Sequence, residues 1–149
     1  MAHEAPVKAL VLAFTGDVAA AVYVINRYQP DSLCLVLPDA QKAVVESAMP
    51  PRIDRMPRRW DWVTQADADE VGAWHRTLVQ ALPALLATWA VQPGELVVDL
   101  TGATPAMAAA LVLVTLPAGS RTISLVPWTE AGGEEAIELE GRQVSSIQV

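Results

Sequence analysis

The stretch Glu95-Leu96-Val97-Val98-Asp99-Leu100-Thr101-Gly102-Ala103-Thr104-Pro105-Ala106-Met107, continued by an Ala-, Leu- and Val-rich run to Leu116, decides the fold. Leu96 to Leu100 is a strand-forming run that halts at a small polar turn. An apolar helix starts directly after it. Thr104 is a good N-cap, and Pro105 falls at the first helical position, where its missing N–H costs nothing. The turn Thr101-Gly102-Ala103-Thr104 therefore presents backbone N–H groups and two hydroxyls at the positive end of a helix. Such a turn suits a phosphate or another anion. It also reads, more simply, as an ordinary capped strand-to-helix connection, of which an α/β protein has several.

Working outward, the same strand-turn-helix grammar recurs. Val7 to Phe14 is apolar apart from Lys8, turns sharply at Thr15-Gly16-Asp17, and leads into the helical Val18 to Tyr28. Gln29-Pro30-Asp31 breaks that helix. Ser32 to Leu37 is a second apolar strand, closed by Pro38-Asp39. Ala40 to Ala48 suits a short helix, while three prolines between Pro50 and Pro57 exclude a regular one. Trp60 to Thr64 is a weak third strand. Asp67 to Trp89 is expected to be a long helix with acidic residues in its first turn, kinked or divided at Pro83. Beyond the opening stretch come a fifth strand, Thr122 to Val126, a Gly132-Gly133 turn, and a sixth strand, Glu135 to Leu139.

Continuous apolar strands alternating with helices specify a mostly parallel sheet covered on both faces. The expected architecture is α/β: a Rossmann-like open sheet of about six strands with helices on both faces, its last strand an antiparallel edge. All 149 residues fit one domain. In a strand order 3-2-1-4-5, the loops after the first and fourth strands are neighbours at the topological switch point, where ligands bind in open α/β sheets. Thr15-Gly16-Asp17 and Thr101-Gly102-Ala103-Thr104 would then form a shallow, backbone-lined cleft.

Composition narrows the function. A net charge of −7 argues against long duplex DNA or RNA as a partner, which needs a broad basic face. A small anionic ligand is compatible with it, because helix N-termini create local positive potential. The single Cys34 lies in an apolar run and reads as a buried small hydrophobe. The polar N-terminus has no signal-peptide pattern, and the apolar runs are too short to span a bilayer, so a cytoplasmic location is expected. His3 and His75 are isolated, so no metal is expected. No Gly-x-Gly-x-x-Gly or P-loop lysine occurs, so no cofactor is expected either. Arg52, Arg55, Arg58 and Arg59 gather four of the ten basic residues within eight positions. They read as a solvated loop or, alternatively, as a basic rim over a ligand or a contact to a partner domain.

Asp99-Leu100-Thr101-Gly102-Ala103-Thr104-Pro105-Ala106-Met107 resembles the signature of CARF domains, the CRISPR-associated Rossmann-fold sensors, whose usual pattern is Asp-x-Thr-Gly-Gly-Thr-Lys-x-Met. The first strand with its small polar turn, and Tyr28-Gln29-Pro30-Asp31 before an apolar second strand, are also similar to that family. The resemblance implies a homodimer that binds a cyclic oligoadenylate of type III CRISPR antiviral signalling across its two-fold axis, cyclic tetra-adenylate being the expected ring. It further implies a fused or separate effector, or a stand-alone binder. The implied ligand-binding residues are Thr15, Gly16, Asp17, Pro38, Asp39, Thr101, Gly102, Ala103, Thr104, Pro105 and Met107. Trp128, just past the fifth strand, joins them as a stacking partner for an adenine or as part of a dimer interface.

Some family members are ring nucleases. In these the ligand's own 2′-hydroxyl attacks the adjacent phosphate without a metal. Two positions depart from the pattern. Ala103 stands for a glycine, and Pro105 stands for a lysine that would supply charge to a phosphate or a transition state. Pro105 therefore favours binding over cleavage, and no catalytic residue is assigned. An unrelated Rossmann-like domain for another small anion is the remaining reading. Asp99 reads as an acceptor that holds the turn rather than as a general base.

Overall fold

The computed structural model describes residues 7–66, 69–125, 136–140 and 143–146, without side chains for 125, 136–140 and 143–146. Seven strands form one sheet: β1 (Ala9–Ala13), β2 (Ser32–Pro38), β3 (Arg59–Gln65), β4 (Leu96–Asp99), β5 (Arg121–Leu125), β6 (Ala136–Glu140) and β7 (Gln143–Ser146). Their order is β3-β2-β1-β4-β5-β6-β7. The first five pair in parallel. β6 pairs antiparallel with β5 and with β7. The expectation of about six strands is one short. Gln143-Val144-Ser145-Ser146 carries a single apolar residue, too little for a strand pattern to show.

Among the described residues four α-helices cover the sheet: α1 (Val18–Tyr28), α2 (Lys42–Ala48), α3 (Val71–Trp89) and α4 (Pro105–Thr115). The parallel strands are buried on both faces, which is why they read as unbroken apolar runs. In β1, Ala9, Val11 and Ala13 pack with Trp74, Leu78 and Leu82 of α3 and with Met107, Ala110 and Leu111 of α4. The alternate residues Leu10 and Leu12 pack with Val22, Val24, Ile25 and Tyr28 of α1 and with Val45 of α2. Strand periodicity thus assigns α3 and α4 to one face and α1 and α2 to the other.

The start of α3 and its first turn differ from expectation. The helix starts at Val71, because the Glu70 carboxylate accepts the N–H groups of Gly72 (3.0 Å) and Ala73 (2.7 Å) and so caps it there. Its first turn holds no acidic residue. Pro83 lies inside the helix without dividing it. Cys34 is completely buried, and burial raises its thiol pKa far above the usual range. The expected Gly132-Gly133 turn, Asp67 and His3 lie outside the described residues.

Candidate functional site

β1 and β4 are adjacent, yet their chains turn to opposite faces, α1 to one and α4 to the other. This is the switch point, and the two loops leave it side by side at the carboxyl edge. The Thr15 hydroxyl donates to the Gly102 carbonyl at 2.7 Å, across 87 positions of sequence. Gly102 lies so close to β1 that a Cβ there would sit 2.7 Å from the Ala13 carbonyl oxygen. Only glycine fits this approach without movement. Gly16, at φ 129°, takes a conformation that suits glycine. A Cβ on Gly16 would lie 3.8 Å from Gln41 Oε1, so the turn Asp39–Gln41 after β2 borders the same edge. Pro38 ends β2 half-buried, and Asp39 is exposed beside it.

The β4 turn is held from beneath. Asp99 is 1% exposed, and its Oδ1 accepts the Thr101 hydroxyl at 2.6 Å and the Thr101 N–H at 3.2 Å. Burial outweighs these bonds and lifts the Asp99 carboxyl pKa to about 6. Asp99 therefore acts as the acceptor anticipated for it. The Ala103 N–H closes the turn on the Leu100 carbonyl at 3.0 Å. Thr104 caps α4, its hydroxyl accepting the Met107 N–H at 3.2 Å, and Pro105 occupies the first helical turn, exposed. Asp17 caps α1 in the same way, Oδ1 accepting the Ala20 N–H at 3.1 Å.

These bonds spend much of the edge's polarity internally. Among the described residues, the N–H groups of Gly16, Asp17, Gly102 and Ala106 make no hydrogen bond. They sit at two helix N-termini, whose dipoles favour an anion. What the geometry offers is a small-residue edge whose main-chain N–H groups suit negative charge.

The structure thus brings together Thr15, Gly16, Asp17, Pro38, Asp39, Thr101, Gly102, Ala103, Thr104 and Pro105. It places Met107 differently. That side chain is fully buried in the core beneath α4, and it presents no surface to a ligand. Trp128 lies outside the described residues. Gln41 was not anticipated, because nothing in a short polar turn signals which residue reaches a neighbouring loop. The arginine cluster does not rim this edge. Arg58 and Arg59 stand at the start of β3, at the amino edge, where Arg55 pairs with Asp31 and Arg59 Nη1 donates to the Thr88 carbonyl at 2.8 Å.

No family model and no curated protein matches the sequence. Solved structures do match in shape. Enterococcus italicus Csm6 bound to cyclic hexa-2′-fluoro-hexa-dAMP aligns with a TM-score of 0.61 at 14% identity, over 84% of this chain and 35% of that one. Can2 from Sulfobacillus thermosulfidooxidans in complex with cyclic tetra-adenylate aligns at 0.60 and 12%, over 79% and 32%. Protein VC1899 from Vibrio cholerae aligns at 0.58 and 11%, over 80% and 31%. The chain spans about a third of the length of each. The shared property is the α/β Rossmann-like fold, in agreement with the resemblance drawn from Asp99 to Met107. Among the described residues no helix is long and apolar enough to cross a membrane.

Proposed function

We propose that this chain is a single CARF-type domain that binds a cyclic oligoadenylate, with cyclic tetra-adenylate as the expected ring, in cytoplasmic type III CRISPR signalling. The observation that carries the reading is the junction of the Thr15-Gly16-Asp17 and Thr101–Thr104 turns through the Thr15–Gly102 hydrogen bond. Two helix N-termini with open N–H groups converge there, on a fold also seen in two structures that hold cyclic oligonucleotides. Phosphodiesters of the ring are met by main-chain donors.

The ring is held between two copies of the chain. Support comes from α4, which begins at the candidate turn. Its only side chain with a hydrogen-bonding group is Thr115, and Thr115 is buried. Leu113 on its outer side is 61% exposed, and Val79 on the neighbouring α3 is 46% exposed. A helix that is apolar on all sides belongs inside a larger assembly. The domain acts as a binder that serves a fused or separate effector. Pro105 brings no cation to the phosphates, and Asp99 is committed to Thr101.

Titration with cyclic tri-, tetra- and hexa-adenylate, with product analysis of the same samples, tests the reading. Binding of one ring without product formation is the expected result. Binding followed by decay into linear products would make the chain a ring nuclease. Failure to bind any ring would overturn the proposal.

A further inference from the structure

The opposite, amino edge of the sheet holds a cavity of about 440 Å³ that the candidate site does not use. Lys8, Asp31, Ser32, Arg58, Arg59 and Trp89 line it. Its charge runs against that of the whole chain. Its lining holds three cations, Lys8, Arg58 and Arg59, against one carboxylate, Asp31, which pairs with Arg55, while Lys8 pairs with Glu95 at 2.6 Å. Arg59 is held in place by its bond to the Thr88 carbonyl near the end of α3. Trp89 forms a fixed wall, its indole N–H donating to Asp61 Oδ2 at 2.9 Å.

Ser32 adds a neutral donor to the lining. It is 6% exposed and lines the cavity, yet its hydroxyl makes no hydrogen bond among the described residues. The Arg58 guanidinium likewise makes no hydrogen bond or ion pair among the described residues, and it is exposed at the mouth.

We infer that this cavity binds a phosphomonoester of small-molecule size, its dianion held by Lys8, Arg58, Arg59 and the Ser32 hydroxyl. A phosphomonoester carries close to two negative charges at neutral pH and three strong acceptor oxygens, which matches both the local excess of cations and the number of donors. The volume lies within the range of small-ligand sites. The inference is independent of the proposed cyclic oligoadenylate site, which lies at the other end of the strands.

Calorimetric titration of the full chain with inorganic phosphate, AMP and adenosine tests it. Phosphate and AMP are expected to bind and adenosine is not. Arg58→Glu is expected to weaken AMP binding by more than about tenfold, the loss of a charge-assisted contact, and Arg58→Gln by less. Ser32→Ala weakens it several-fold, while Thr15→Val at the opposite edge leaves it unchanged. Absence of phosphate and AMP binding would overturn the inference. So would Arg58→Glu binding AMP as the wild type does, or loss of AMP binding in Thr15→Val.

Discussion

Thr15 and Gly102 are joined by a 2.7 Å hydrogen bond between the hydroxyl of one turn and the carbonyl of the other. The bond fixes the spacing of two helix N-termini that belong to opposite faces of the sheet. Thr15→Val keeps the shape and removes the donor. Because the bond is exposed, the expected stability loss is small, about 0.5–1.5 kcal/mol by urea unfolding. Affinity for the cyclic oligoadenylate is expected to fall by more than that stability loss alone implies. Unchanged affinity would show that the two turns do not act together.

Gly102→Ala is the steric counterpart. The added Cβ would sit 2.7 Å from the Ala13 carbonyl oxygen, which is backbone and moves little. The turn must lift off β1, at a cost of roughly 1–3 kcal/mol as for other overpacked sites. A melting temperature equal to the wild type's would refute the close approach.

Asp99 makes stability depend on pH. Its carboxyl is shifted from 3.8 to about 6 by burial, so the folded state holds a proton that the unfolded chain has already released. Stability from this group is full below about pH 4, falls as pH rises toward 6, and is level above. The two-unit shift corresponds to roughly 3 kcal/mol. Asp99→Asn keeps an acceptor for Thr101 but cannot ionise. The difference in unfolding free energy between wild type and variant should therefore change across that window. A difference constant from pH 4 to 7 would contradict the burial described.

Pro105→Lys adds at the first turn of α4 the cation that the family pattern carries. Affinity for the ring is expected to tighten about fivefold, near 1 kcal/mol, with stability little changed because Pro105 is exposed. Weaker or unchanged binding in a titration would count against this placement of the phosphates.

Leu113→Glu places a charge on the outer side of α4. Sedimentation is expected to show a dimer becoming a monomer, with ring affinity lost together with the dimer. A dimer that survives would move the interface to another face.

Much of this architecture was legible because the parallel strands are buried on both faces and so stand out as apolar runs. The two Thr-Gly turns were legible because helix caps have a small alphabet. Other features depend on three-dimensional closeness. The side-chain tie from Thr15 to Gly102 spans 87 positions and leaves no local pattern. Its place in the motif points Met107 toward the ligand, but helix periodicity turns it into the core. The arginine cluster precedes β3, and strand direction carries it to the edge away from the turns. The start of α3 slipped because Asp67, Asp69 and Glu70 all suit a helix entrance, and only geometry selects Glu70.

The open N–H groups of Gly16, Asp17, Gly102 and Ala106 belong to the peptide chain itself, and a main-chain N–H is common to every residue but proline. An anion held this way asks little of side-chain identity: a glycine where backbones touch, small residues around it, and two caps. Such an edge can keep its ligand while nearly every letter around it is replaced. Relatives built on this plan would be recognised by the path of the backbone long after their sequences had ceased to resemble one another.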